Sequence, residues 1–271
     1  MNDLTSSSSG PVDRKSVQLE ICCGDIGSVL AAQEGSARRI ELCSGLTDGG
    51  LTPSVALIRA ASECGIAEIN VLIRPRPYDF LYSGAEVNLM CHDIEAAVHA
   101  GATGIVIGAL KADGNVDRDI CSLLIQTARD ASERHINITF HRAFDVARDA
   151  DSALSDIIEL GCDCLLTSGM ADTAEHGIPV LHRLVERCES AITIMAGGGV
   201  NCGNAAKIIT ATGVGAIHST ARTSRPSGMM FRREDVPMGA PGMDEYTLRQ
   251  TDPETVSRLL QITKTLTTCE R

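Results

Sequence analysis

Short runs of β-branched and apolar residues alternate with longer stretches of helical periodicity along this chain, and that alternation is the sequence form of repeated βα units. The runs lie at residues 17–22, 38–43, 69–74, 104–109, 137–141, 164–167, 193–196 and 216–219, and eight of them predict a single closed (β/α)8 TIM-type barrel. Helices are expected over 54–62, opened by Pro53 at a first-turn position, and over 86–99, 117–134, 149–160, 174–189, 204–211 and 253–266. Gly35, Gly101, Gly161 and Gly213 each close a helical stretch just before the next strand, as a left-handed helix cap would require. Residues 1–15, rich in serine, read as a disordered tail ahead of one barrel domain over 16–271. Two connections are long: 75–85 after the third strand, with Arg76, Tyr78, Asp79, Phe80 and Tyr82, and 222–246 after the eighth, with proline, glycine and methionine but little periodicity. Segments of that length on a barrel are expected to be lids or subunit contacts.

The polar positions inside the strands carry the chemistry. Leu19-Glu20-Ile21-Cys22 and Ile40-Glu41-Leu42-Cys43 repeat one pattern, a carboxylate two residues before a cysteine. Residues i and i+2 share a strand face, so each carboxylate projects with its thiol and the apolar residues project the other way. The same alternation sends Arg39, Asn70, Arg74, Thr139, His141 and His218 into the barrel. Enclosed charges cost several kcal/mol unless paired or solvated, and most of these groups lie late in their strands. They point to a site at the C-terminal mouth. Arg74, Arg76, Arg142 and Arg222 offer planar forks for a carboxylate or phosphate. Gly197-Gly198-Gly199, together with Ser219 and Thr220, could cradle the same kind of anion.

Composition narrows the function classes. A formal net charge of −11 with dispersed basic residues leaves no electrostatic footprint for DNA or RNA. An aromatic share of 3% without tryptophan argues against base stacking. No run approaches the roughly 20 apolar residues of a membrane span, and the start has no apolar signal core, so a soluble, intracellular protein is expected. Eleven cysteines in a chain of this size read as mostly reduced thiols, many of them small core hydrophobes. Cys162 and Cys164 form a Cys-x-Cys that could bind metal but reads first as core.

Several of these segments together resemble the CutC copper homeostasis proteins. They are Leu19-Glu20-Ile21-Cys22, 39–45, Gly49-Gly50-Leu51-Thr52-Pro53-Ser54, Ile73-Arg74-Pro75-Arg76 with Asp79-Phe80 and Tyr82-Ser83, Thr139-Phe140-His141-Arg142-Ala143-Phe144-Asp145, Leu166-Thr167-Ser168-Gly169 and Met195-Ala196-Gly197. The resemblance implies a TIM-type barrel, a cytoplasmic location, homo-oligomerisation and association with Cu(I), with Cys22 and Cys43 as the matching metal ligands. In one place the chain departs from the pattern: Pro77-Tyr78 stands where the family usually has Gly-Gly.

Two functions compete for the mouth. Two thiolates suit Cu(I), because soft ligands select that ion. Alternatively, Glu20 or Glu41 acts as general base, His141 as acid or metal ligand and Arg74 as anchor, in an enzyme acting on a small phosphorylated or carboxylated metabolite. Arg76, Arg142, Gly197, Gly198, Ser219 and Arg222 would then hold the anion, and a divalent ion such as Mn or Mg could assist. An oligomeric scaffold built through the long segments is a third, non-catalytic possibility.

Overall fold

The computed structural model describes residues 14–236, 238, 239, 242 and 244–269. Eight parallel strands close into a barrel: β1 (Gln18–Cys23), β2 (Arg39–Leu42), β3 (Glu68–Leu72), β4 (Gly104–Ile107), β5 (Asn137–Phe140), β6 (Cys164–Thr167), β7 (Thr193–Ala196) and β8 (Ala216–Ser219). Each pairs with its sequence neighbour, and β8 pairs with β1 to complete the ring. Helices α1 (Ile26–Glu34), α2 (Val55–Glu63), α3 (Gly84–His99), α4 (Arg118–Asp130), α5 (Ala150–Glu159), α6 (Ile178–Arg187), α7 (Ala205–Thr212) and α8 (Pro253–Thr265) cover the outside. The expected α/β barrel is the observed one.

The strands divide two environments. Outward residues such as Ile21, Ile40, Leu42, Ile69, Ile105 and Phe140 are fully buried against the helices and form the main core. Inside the barrel, one side is apolar, with Cys164, Leu166, Met195 and Ala216 packed together. The other side, on β1 to β3, holds Glu20, Arg39, Glu41 and Asn70. Residues 1–13 of the expected tail lie outside the described residues, while Arg14–Ser16 pair antiparallel with Thr267–Cys269.

Three local expectations change. Gly35 has φ −72 and is not a left-handed cap; a Cβ there would meet Val256 Cβ at 2.5 Å, so glycine is needed for the approach of α8. The helix expected over 174–189 begins only at Ile178, after Gly177. The segment after β8 is not irregular throughout: Arg222–Pro226 and Thr247–Thr251 pair as an antiparallel hairpin. Its base is tied to α1 by Gln250 Nε2 donating to Asp25 Oδ1 at 3.2 Å, and by the Thr251 N–H donating to Ser28 Oγ at 3.4 Å. Among the described residues no helix is long and apolar enough to cross a membrane.

Candidate metal centre at the barrel mouth

The barrel register sets the site. Cys22 stands level with Glu41 across the β1–β2 ladder, and the Cys43 N–H continues that ladder by donating to the Cys23 carbonyl at 3.0 Å. Cys43 is therefore the next inward residue above Glu41, diagonal to Cys22. The two sulfurs lie 3.6 Å apart, buried with Leu72 and Val106 and flanked by Leu46. Both are free thiols. The hydrogen bond to Cys43 pushes the Cys22 thiol well above its ordinary range, with burial and the Glu41 carboxylate adding to the effect.

Below the thiols lies a connected set of buried ionisable groups. His218 sits between two carboxylates, its Nδ1 at 2.9 Å from Glu20 Oε1 and its Nε2 at 3.6 Å from Glu41 Oε2. The other oxygen of Glu20 accepts from Arg39 Nε at 2.7 Å and from Asn70 Nδ2 at 2.6 Å. Burial alone would raise the Glu20 pKa; the hydrogen bond from His218 and the Arg39 charge outweigh it and bring the carboxyl down to about 2. Burial raises Glu41, and the nearby Glu20 charge adds to this against the His218 charge. For His218 itself burial lowers the pKa, but Glu41 and Glu20 reverse that, and the net shift is upward. One atom each from Cys22, Glu41 and His218 lie within 4.8 Å of one another, a group able to hold a metal ion.

The strand pattern places His218 inside the barrel without assigning it a role and gives the histidine chemistry to His141, yet it is His218 that joins the metal-capable group. His141 lies at the end of β5 and is buried. Its Nδ1 accepts from the Ala143 N–H at 3.1 Å, its ring packs 5.0 Å from Phe80, and its Nε2 has no hydrogen-bond partner. Burial, with the Arg74 charge, lowers its pKa to about 3. Gly108 makes room for the ring, because a Cβ there would meet His141 Cε1 at 2.5 Å. His141 is not part of the metal-capable group.

The arginine forks are largely committed to protein oxygens. Arg74 donates to the carbonyls of Asp48, Gly50 and Tyr78, each at 2.9 Å, and its buried Nε is unpartnered. Arg76 bonds Glu86 at 2.5 Å, Asp79 at 2.8 Å and the Leu81 carbonyl at 2.8 Å. Arg142 bonds Asp145 at 2.7 Å and Ser168 Oγ at 2.9 Å. Arg222 begins the hairpin after β8. Ser219 donates to the Val200 carbonyl at 2.7 Å, and Gly198 lies against Arg142 and Ser168. Gly197 faces Leu166 and His218. Thus Glu20, Glu41, Cys22 and Cys43 come together, whereas Arg74, Arg76 and Arg142 brace the loops around them.

Asp145 is a second residue with an unexpected part. It accepts from Arg142 Nε, Thr167 Oγ1, Ser168 N and Oγ, and Met170 N, joining the turns after β5 and β6. Cys162 and Cys164 do not share a face: the first belongs to the outer core and the second to the packing inside the barrel. Two cavities lie away from the thiols. One of about 430 Å³ is lined by Tyr78, Phe80, Leu81, Leu110 and Val146; one of about 320 Å³ opens at the N-terminal end beside Gln18, Arg39, Glu68 and Thr193.

Residues 17–223 match the model of the CutC family. A CutC family protein of Bacteroides fragilis is 46% identical over 226 residues, which is 83% of this chain and 88% of the relative. The human copper homeostasis protein cutC homolog is 40% identical over 249 residues, 92% of this chain and 89% of its own length. A solved CutC structure from Streptococcus agalactiae superposes with a TM-score of 0.70 at 29% identity, covering 75% of this chain and 98% of that one. Thiamine phosphate pyrophosphorylase of Pyrococcus furiosus, at 16% identity and a TM-score of 0.56 over 92% and 96% of the two chains, shares the fold alone.

Proposed function

The chain belongs to the CutC family, and from that premise we propose that it serves copper homeostasis by binding Cu(I) through Cys22 and Cys43. The observation that carries this reading is the 3.6 Å approach of two sulfurs on adjacent strands of a closed barrel. Thiolates are soft donors, and a low coordination number satisfies Cu(I). The rigid strands hold the pair ready, so little ordering of the protein is needed on binding. Copper is the cargo here, and its arrival displaces the Cys22 proton. A cytoplasmic setting, where thiols stay reduced, fits this chemistry. Homo-oligomerisation belongs to the same reading, and Met229, Met230, Phe231 and Met238 offer exposed apolar surface for it. X-ray absorption at the copper edge tests the ligand set. Two sulfur neighbours in the wild type, reduced to one by Cys43→Ser, is the expected result; a first shell without sulfur would reject it.

A second reading, an enzyme acting on a small anionic metabolite at the same mouth, has one observation in its favour. Arg74 Nε and His141 Nε2 are buried and without hydrogen-bond partners, and both side chains pack on Phe80. Two unanswered donors are what an anion's oxygen would satisfy. If this holds, thermal-shift screening against phosphorylated and carboxylated metabolites finds a ligand whose effect disappears in His141→Ala.

A further inference from the structure

We propose that Cys22, Glu41 and His218 form a coordination set for a borderline divalent cation of the Zn(II) type, distinct from the soft thiol pair. The set shares Cys22 with the proposed Cu(I) ligands and does not depend on that reading.

Three features support it. The first is spacing. One ligand atom from each residue lies within 4.8 Å of the others, and Glu41 and His218 already stand at 3.6 Å. Tetrahedral N, O and S ligands at bond lengths of about 2.0–2.3 Å are separated by roughly 3.3–3.6 Å, so the group closes onto an ion by small side-chain movements.

The second is the support behind the histidine. Metal-ligating imidazoles nearly always give their other N–H to a carboxylate or carbonyl, which fixes the tautomer and aims the free nitrogen. His218 Nδ1 has that partner in Glu20 at 2.9 Å, and both Glu20 oxygens are engaged because Arg39 and Asn70 hold the other. Nε2 is left directed towards Glu41.

The third is ligand character. Cys43 lies outside this group. One thiolate, one imidazole and one carboxylate form a mixed donor set, which favours a borderline divalent ion over Cu(I). Three protein ligands also leave a fourth position for water or a substrate oxygen, as in catalytic rather than structural zinc sites. An ion there would polarise a carbonyl or phosphoryl group, or lower the pKa of its bound water, at the end of the barrel where such chemistry is built.

The test is a titration of the reduced full-length protein with cobalt(II) chloride under anaerobic conditions, read by absorption spectroscopy. The wild type is expected to develop a near-ultraviolet thiolate-to-cobalt band that saturates at one cobalt per chain and is bleached by zinc(II). His218→Ala and Glu41→Gln should weaken binding at least tenfold and Glu20→Gln about 10-fold to 100-fold through the lost support, whereas Cys43→Ser should keep the thiolate band at one cobalt per chain. A wild-type spectrum without the thiolate band overturns the proposal, and so does cobalt binding that vanishes in Cys43→Ser but survives in folded His218→Ala. Absence of the band in the wild type overturns the proposal whether or not a variant folds. Failure of Cu(I) to bind a protein that passes the cobalt test would reject the copper reading and leave the divalent set standing.

Discussion

His218 is held by Glu20 across 198 residues of sequence, with Nδ1 and Oε1 2.9 Å apart where β8 closes the ring against β1. The contact joins a carboxylate on the first strand to an imidazole on the last. It places a basic group between two buried acids, and that arrangement gives the interior its pH behaviour.

The pKa values of the two interior histidines are shifted in opposite directions. The net pKa of His218 is raised, so its stabilising contribution is complete below the unfolded value of about 6.5 and is lost as pH rises through the folded pKa. His141 is lowered to about 3, so its contribution is complete above about 6.5 and is lost as pH falls towards 3. Imidazole NMR shifts should show a neutral His141 at pH 5 and a His218 still charged above pH 6.5. The reverse order would refute the environment described for both.

Cu(I) binding should tighten with pH. The Cys22 thiol is raised by Cys43, by burial and by Glu41, so each binding event at neutral pH must release its proton. Apparent affinity is then expected to rise up to about tenfold per pH unit for each proton displaced. Proton release measured by calorimetry in buffers of different ionisation enthalpy checks this, and a binding constant flat between pH 6 and 8 would contradict it.

Arg39→Leu should destabilise the fold by about 3 kcal/mol, since it strips the permanently charged partner from a carboxylate that is 1% exposed. Leucine at both positions 20 and 39 should recover only part of that loss, because the carboxylate is no longer stranded but the Asn70 and His218 donors that it accepted are. Urea unfolding of the three proteins compares them; a double variant less stable than Arg39→Leu would count against the pairing.

Asp145→Ala should cost on the order of 3 kcal/mol and loosen the turns after β5 and β6, because it leaves buried donors from Thr167, Ser168 and Met170 without an acceptor. Amide exchange should quicken at Ser168 and Met170 before it does in the strands. Unchanged protection there would remove Asp145 from this role.

Tyr78→Gly should stabilise the chain by roughly 1 kcal/mol. Tyr78 has φ +77 and its side chain is 82% exposed, so the left-handed backbone is strained and little packing is lost. This is one of the two positions where the family pattern has glycine. A lower melting temperature for the variant would show that the tyrosine is held by contacts of its own.

Much of the barrel was legible because strand alternation and βα spacing are local. The runs at 164–167, 193–196 and 216–219 coincide with β6, β7 and β8, and the inward direction of Glu20, Cys22, Glu41 and Cys43 follows from period-two alternation. Partnerships between distant strands were not legible. Nothing in sequence spacing pairs Glu20 with His218, because ring closure alone brings β8 beside β1. His141 sits in a conspicuous motif and drew the histidine role, yet a backbone N–H occupies its Nδ1. The arginines read as anion forks for a similar reason: an unpaired guanidinium and one committed to the carbonyls of Asp48, Gly50 and Tyr78 look alike until the loops are folded. Gly35 is the same lesson for backbone, since its absent side chain answers to Val256 on a helix more than 200 residues away.

Anaerobic titration of the reduced protein with Cu(I) against a competing chelator, beside the Cys22→Ser/Cys43→Ser double variant, is the most direct test of the soft site. Binding of one ion per chain that is lost in the folded double variant is the predicted result. Binding of equal strength in both proteins would contradict it.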